Sequence, residues 1–322
     1  VNATNTDGNT MLYSRNGLDW IGLGNDLFTT TGYAVAWNGN MWVAGGQGSS
    51  TLATSTDGVN WTKINNSPFT TRCVGVVWTG AQWIAAGHGG NKIATSPDGY
   101  TWTGRGTTIF FGNMNAIATN GIITVACCNE ISGSDDVLGY SYDGITWTGG
   151  VTTFAGNPAG TTVLFDHSCT SVATNGKIWI AGGRGKNTGA YSYDGINWVD
   201  NNAIIGSGGG VNGRTYGIAW NGQYWIAVGQ GQPDCVAFSV DGIKWILIDD
   251  TDDTPFKTAG FGITSRNNVI GEYTENEFIV DKFIQPSSNI IVFHNSGYYN
   301  NYNESELDSI GISIKGEKDN LN

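Results

Sequence analysis

A seven-residue element, Ser-x-(Asp/Asn)-Gly-x-x-Trp, recurs six times along the 322-residue chain and narrows what it can fold into. It reads SRNGLDW from Ser14, STDGVNW from Ser55, SPDGYTW from Ser96, SYDGITW from Ser141, SYDGINW from Ser192 and SVDGIKW from Ser239. Successive serines stand 41, 41, 45, 51 and 47 residues apart. A second element alternates with it: VAWNGNMWVAGG around Gly39, VVWTGAQWIAAG around Gly80, IATNGIITVACC around Gly121, VATNGKIWIAGG around Gly176 and IAWNGQYWIAVG around Gly222. A degraded sixth copy, ITSRNNVIGEY, surrounds Asn268. Such self-similarity marks repeat architectures, whose units bury their apolar faces only against neighbours.

Both elements read as hairpins. Asn-Gly and Asp-Gly tolerate the positive φ angles of tight turns, and alternating apolar residues flank them. In the seven-residue element, Ser and Asp can bond local backbone groups and fix the turn. Its Trp then lies on the returning strand, where it is expected to pack against the next unit. Two hairpins per repeat make four short strands, the size of a propeller blade. The ends supply the closure: segment 9–22 holds a second-type hairpin without a first-type partner, and segment 258–283 holds the reverse. Joined, they complete one blade and hide the sheet edges.

The expected fold is therefore an all-β, six-bladed β-propeller over residues 1–283. Its blades lie near 33–66, 74–106, 115–150, 171–201 and 216–248, with the sixth made of 258–283 and 9–22. Residues 284–322 break the repeat and form a C-terminal acidic tail with two short apolar runs, IIVF at 290–293 and IGISI at 310–314. From residue 267 onward nine acids face three bases, half of the chain's net charge of −12. The tail is expected either to add strands to the propeller or to make assembly contacts.

These repeats resemble the Asp-box (BNR) repeat of sialidase-like and other propellers, roughly Ser-x-Asp-x-Gly-x-Thr-Trp. Here Asp and Gly are adjacent, so Trp follows Asp at four positions rather than five. The compact form is similar to repeats in uncharacterised secreted bacterial, phage and large DNA virus proteins. The resemblance covers about residues 9–283 and implies a propeller whose Asp-boxes lie at turns away from the usual active face. Propellers of this kind include glycosidases, receptors and assembly factors, so the fold alone fixes no activity.

Subtracting the scaffold isolates the remaining candidates. All 13 tryptophans fall on repeat positions: six in the Ser-Asp turns, three before the Asn/Thr-Gly turn and four after it. They read as packing residues rather than sugar platforms. The turn aspartates Asp57, Asp98, Asp143, Asp194 and Asp241 read as turn formers. Function is expected on the opposite face, where loops vary over a rigid frame. There one recurrent polar position reads Gln47, His88, Asn129, Arg184 and Gln230. A second, entering the innermost strand, reads Thr31, Arg72, Asn113, Ser168 and Arg214. Three of the chain's six arginines, Arg72, Arg184 and Arg214, fall on these positions. Guanidinium recognises carboxylate or phosphate through two parallel hydrogen bonds. The plainer reading is that these side chains tie neighbouring blades together.

The leading functional expectation is a non-catalytic binding or structural propeller offering this mouth to a glycan or protein partner, with an extracellular or virion surface favoured. The ligand-binding candidates are Gln47, His88, Asn129, Arg184, Gln230, Arg72 and Arg214. One alternative is a sialidase-like glycosidase using Arg72, Arg184 and Arg214 with Tyr216, Glu130 and Asp135 or Asp136. The Phe/Tyr-Arg-Ile-Pro motif of those enzymes is absent. The other alternative is an assembly protein with no small-ligand site. No catalytic residue, cofactor or metal is expected: five cysteines form no CxxC pair, and three histidines lie far apart. The run Asp249–Asp253 reads as a solvated loop. Asn2, Asn60, Asn65 and Asn303 begin sequons, which carry glycans only on a eukaryotic secretory route. A pI of about 4.5 argues against nucleic acid, and no apolar run is long enough for a membrane helix. The chain begins at Val1 and reads as a processed chain or a fragment.

Overall fold

The computed structural model describes residues 8–16, 19–107, 110, 112–129, 137–149, 165, 168–184, 188–201, 204–205, 213–230 and 235–248, with the backbone of Ile290–Val292. Among them every regular element is a β-strand. The first complete sheet is a meander of β3 (Thr31–Trp37), β4 (Trp42–Gln47), β5 (Leu52–Ser55) and β6 (Thr62–Lys63). The same order recurs in β7 (Arg72–Trp78), β8 (Trp83–His88), β9 (Ile93–Ser96) and β10 (Thr103–Gly104). The third sheet comprises β11 (Met114–Thr119), β12 (Thr124–Cys128), β13 (Leu138–Ser141) and β14 (Thr148–Gly149). In the fourth, β15 (Ser168–Thr174), β16 (Trp179–Arg184), β17 (Gly189–Ser192) and β18 (Val199–Asp200) follow the same path. The fifth runs through β19 (Arg214–Trp220), β20 (Trp225–Gln230), β21 (Val236–Ser239) and β22 (Ile246–Leu247).

A further, three-stranded sheet holds β1 (Leu12–Ser14), β2 (Ile21–Gly22) and β23 (Ile290–Val292). Here Leu12 opposes Val292 and Ser14 opposes Ile290, just as Ser55 opposes Trp42 in the first complete sheet. The strand beside β1 thus comes from the IIVF run of the expected tail. The 258–283 hairpin and the rest of the tail lie outside the described residues.

Local chemistry builds each meander. At the first turn, Asn38 Oδ1 accepts from the N–H groups of Asn40 and Met41 at 2.9 and 2.8 Å, and Thr79 Oγ1 replaces it in the second sheet. At the second turn, Ser55 Oγ donates to Asp57 Oδ1 at 2.9 Å and accepts from Gly58 N–H at 2.9 Å. Asp57 Oδ1 also takes the N–H groups of Val59 and Asn60, while Trp61 Nε1 donates to the Gly58 carbonyl. The Asn60 N–H, its side-chain amide and the Val59 N–H together hold the Asp57 carboxyl well below its usual range. Asp98, Asp143, Asp194 and Asp241 likewise take two turn N–H groups on Oδ1.

The core lies between sheets rather than inside one. One cluster joins Met41, Val43 and Leu52 of the first complete sheet to Cys73, Val76 and Trp83 of the second. Others join the second to the third, the third to the fourth and the fourth to the fifth. Met11 and Phe28 pack the N-terminal hairpin against Ala44 and Ala53. Face-to-face stacking in chain order is what a repeat with one apolar face per side requires. The turn tryptophans Trp102, Trp147, Trp198 and Trp245 belong to the core shared with the preceding sheet, which corrects the expected packing against the next one. The turn explains why: its glycine seats on the sheet before it, as Gly144 does on Ile84 and Thr95, and the Trp follows.

All five cysteines are buried and none is in a disulfide. Burial pushes the Cys73 thiol far above its usual pKa, which removes thiolate chemistry at that site.

Candidate functional site

Every first strand carries the same irregularity. The register shifts between Gly32 and Ala34, Cys73 and Gly75, Met114 and Ala116, Cys169 and Ser171, and Thr215 and Gly217. One residue per sheet is thereby bulged out of the register: Tyr33, Val74, Asn115, Thr170 and Tyr216. A bulge re-aims its side chain and ends regular pairing. It lies two residues after the candidate that enters the strand: Thr31, Arg72, Asn113, Ser168 or Arg214.

The two candidate sets prove to be direct partners. Thr31 opposes Gln47, Arg72 opposes His88, Ser168 opposes Arg184 and Arg214 opposes Gln230. Between sheets, Asn129 bridges to Ser168 and Arg184 pairs with Arg214. All seven ligand-binding candidates therefore lie at one end of their sheets, opposite both kinds of turn.

Bulged side chains knit this end together. Tyr33 Oη donates to Gln47 Oε1 at 3.2 Å and accepts from Arg72 Nη1 at 3.4 Å. The Arg72 guanidinium also lies 5.6 Å over the Tyr33 ring. Arg72 Nε donates to His88 Nδ1 at 3.2 Å, and His88 Nε2 lies 2.6 Å from the Met114 carbonyl of the third sheet. With Nδ1 accepting, the proton is on Nε2 and the imidazole is neutral. Burial, with the charges of Arg72 and Lys92, lowers the His88 pKa to about 4, against the opposing bond to Met114.

The same logic continues around the sheets. Asn115 Nδ2 donates to Asn129 Oδ1 and to the Cys169 carbonyl, both at 2.7 Å. Thr170 Oγ1 reaches the carbonyls of Gly182 and Thr215. Arg214 Nη1 donates to Tyr216 Oη at 3.0 Å, which donates to Gln230 Oε1 at 3.1 Å. Gln47, His88, Asn129 and Gln230 are thus held in place by ties within and between sheets.

The arginines divide into two groups. Arg184 and Arg214 face each other across neighbouring sheets, and Arg184 Nε is buried with no hydrogen-bond partner among the described residues. Arg72 belongs to β7, which β11 and β15 separate from β19. The structure therefore does not place Arg72 beside the other two as a compact triad. Tyr216 lies with Arg214, whereas Glu130, Asp135 and Asp136 lie outside the described residues, as do Asp249–Asp253, Asn2 and Asn303. Asn60 is engaged with Asp57 Oδ2, and Asn65 is exposed. Among the described residues no three His, Cys, Asp or Glu side chains converge as a metal site, and no helix is long and apolar enough to cross a membrane.

Apart from Tyr216, named only in the glycosidase alternative, sequence reasoning missed the bulged residues. Their one signal is a break in apolar alternation near the start of each first strand, easily lost in so short an element.

No protein-family profile matches this chain, and no curated protein matches it. Solved structures do. A chain described as the extracellular domain of a one component system from B. thetaiotaomicron superposes with a TM-score of 0.54 at 12% identity, over 78% of this chain. This chain spans only 32% of that one. A chain of the nidogen/laminin complex superposes with a TM-score of 0.51 at 11% identity, over 79% of this chain and 97% of the other. At such identities the likeness speaks to fold alone, and the fold is all-β and β-propeller-like.

Proposed function

We propose that this chain is a non-catalytic binding propeller of the Asp-box type whose loop-side mouth takes an anionic partner, a carboxylate-bearing glycan foremost. The pairing of Arg184 with Arg214 carries the reading. Like charges directly opposite each other in a sheet are destabilising. Here they stand on neighbouring strands of a chain with net charge −12, and no carboxylate neutralises either among the described residues. A bound carboxylate spanning the two guanidinium groups would relieve that repulsion. The tied side chains around them, Gln230 and Tyr216 above all, supply a preorganised frame.

The test is a glycan array rich in sialylated and other acidic sugars, run on the parent, Arg184→Ala, Arg214→Ala and Arg72→Ala. The parent is expected to bind acidic glycans, with at least tenfold loss in the first two variants, as for removal of a charge-assisted bond. Arg72→Ala, in the second sheet and away from the pair, is expected to retain binding. Absence of acidic-glycan binding by folded parent protein sinks the reading. Turnover of a fluorogenic sialoside would instead favour the glycosidase alternative.

The ring itself belongs to the same proposal. Five meanders and the β1–β2–β23 sheet make six blades, closed where β23 pairs with β1. Hydrogen exchange checks this closure. Amides across Leu12–Ser14 should be protected in the full chain and lose that protection when it is cut after residue 283. Equal protection in both would mean that β1 does not depend on the C-terminal strand.

A further inference from the structure

The opposite end of the sheets, where the Asn/Thr-Gly turns of four repeats meet, is lined differently. A cavity of about 440 Å³ opens there, bounded by Trp78 and Trp220 and by Thr79, Asn120, Thr174 and Asn175. These residues come from the second, third, fourth and fifth sheets, so four repeats contribute one wall each. The volume lies within the range of small-ligand sites. Among the described residues no titratable side chain lines it, in contrast with the arginine end.

The walls are rigid and their free valences are specific. Trp78 packs on the fully buried Trp83 with ring centroids 5.1 Å apart, and Trp220 on the fully buried Trp225 at 5.3 Å. Asn120 Oδ1 is consumed by the N–H groups of Ile122 and Ile123, and Asn175 Oδ1 by those of Lys177 and Ile178. Each amide therefore turns only its Nδ2 donors outward. The Thr79, Thr119 and Thr174 hydroxyls are likewise spent on their own turns. Gly80 and Gly176 have open space where a side chain would stand.

The geometry points to a second binding site at this turn-side mouth, for a neutral pyranose whose apolar face lies on Trp78 or Trp220 and whose hydroxyl oxygens accept from Asn120 and Asn175 Nδ2. An uncharged wall of indole faces and amide donors suits a ligand with one C–H face and an equatorial rim of acceptors. An anion gains nothing here, and a purely apolar ligand would strand the donors. This site is independent of the arginine pair.

Saturation-transfer NMR with the methyl pyranosides of glucose, galactose, mannose and N-acetylglucosamine tests it. Wild type is expected to bind at least one, at about 1 mM, a plausible affinity for a single ring. At least one of Trp78→Ala and Trp220→Ala should abolish the signal. Asn120→Asp keeps the oxygen that fixes the turn but removes the donor, and should weaken binding at least fivefold. Arg184→Ala should bind like the parent. The proposal is overturned if no pyranoside binds wild type, if both Trp variants bind normally, or if Arg184→Ala loses the signal.

Discussion

Replacing Gly144 by alanine is expected to cost about 2 to 4 kcal/mol, two or more times the cost of the same change at Gly121. Both glycines occupy the left-handed region, at φ of +70° and +87°, where an L side chain pays about 1 kcal/mol. They differ in what a methyl group would meet. At Gly121 the nearest atom is the Thr79 carbonyl oxygen at 3.5 Å, an ordinary contact. At Gly144 a Cβ would lie 2.6 Å from Ile84 Cδ1 and 3.3 Å from Thr95 Cγ2. Ile84 is only 1% exposed and locked in the core between the second and third sheets, so it cannot swing aside. Overpacking of this kind costs about 1 to 3 kcal/mol beyond the backbone strain. Urea unfolding at pH 7 on both variants reads the difference. Equal losses would mean that the turn glycine serves only its own hairpin and does not seat one sheet on the last.

Much of this was legible because it is local. Asn38, Asp57 and their counterparts make their bonds within three residues, so type and spacing alone predict the turns. All thirteen tryptophans could be placed on the repeat, yet their burial could not. Trp83 is fully buried while Trp37 is 39% exposed, because each depends on which face of its strand meets a neighbouring sheet. The candidate mouth was legible as positions and opaque as contacts. His88 and Arg214 could be aligned with Gln47 and Arg72, but their partners are set by a bulge and by the next sheet. In the first complete and fifth sheets the bulged residue is a tyrosine, and its hydroxyl serves a glutamine. In the second it is Val74, which has no hydroxyl, and His88 itself spans to Met114. One apolar substitution at an unremarked position thus decides what the neighbouring candidate does.

That substitution makes His88 the residue through which acid should first loosen the protein. Its pKa of about 4 lies below the ordinary 6.5 because burial and the charges of Arg72 and Lys92 oppose protonation. A second proton would also collide with Arg72 Nε, which donates to the only free ring nitrogen. Above pH 6.5 the imidazole is neutral in both folded and unfolded chains, and its contribution to stability is complete. As pH falls from 6.5 to 4, the unfolded chain takes up a proton that the folded one refuses. Stability is lost at up to about 1.4 kcal/mol per pH unit, about 3 kcal/mol in all. Below pH 4 both forms are protonated and this loss stops growing. The turn carboxylates Asp57, Asp98, Asp143, Asp194 and Asp241 have lowered pKa values, so their losses come in largely below the ordinary carboxylate pKa of 3.8. The window from pH 7 to 4.5 therefore isolates histidine. His88→Gln is the matched control, since glutamine holds this position at Gln47 and Gln230 and can still accept from Arg72 and donate to Met114. Urea midpoints across that window should fall steeply in the parent and much less in the variant, with His167 and His294 contributing equally to both. Parallel curves would mean that His88 takes up its proton in the fold without hindrance, and that its bond to Met114 does not depend on a neutral ring.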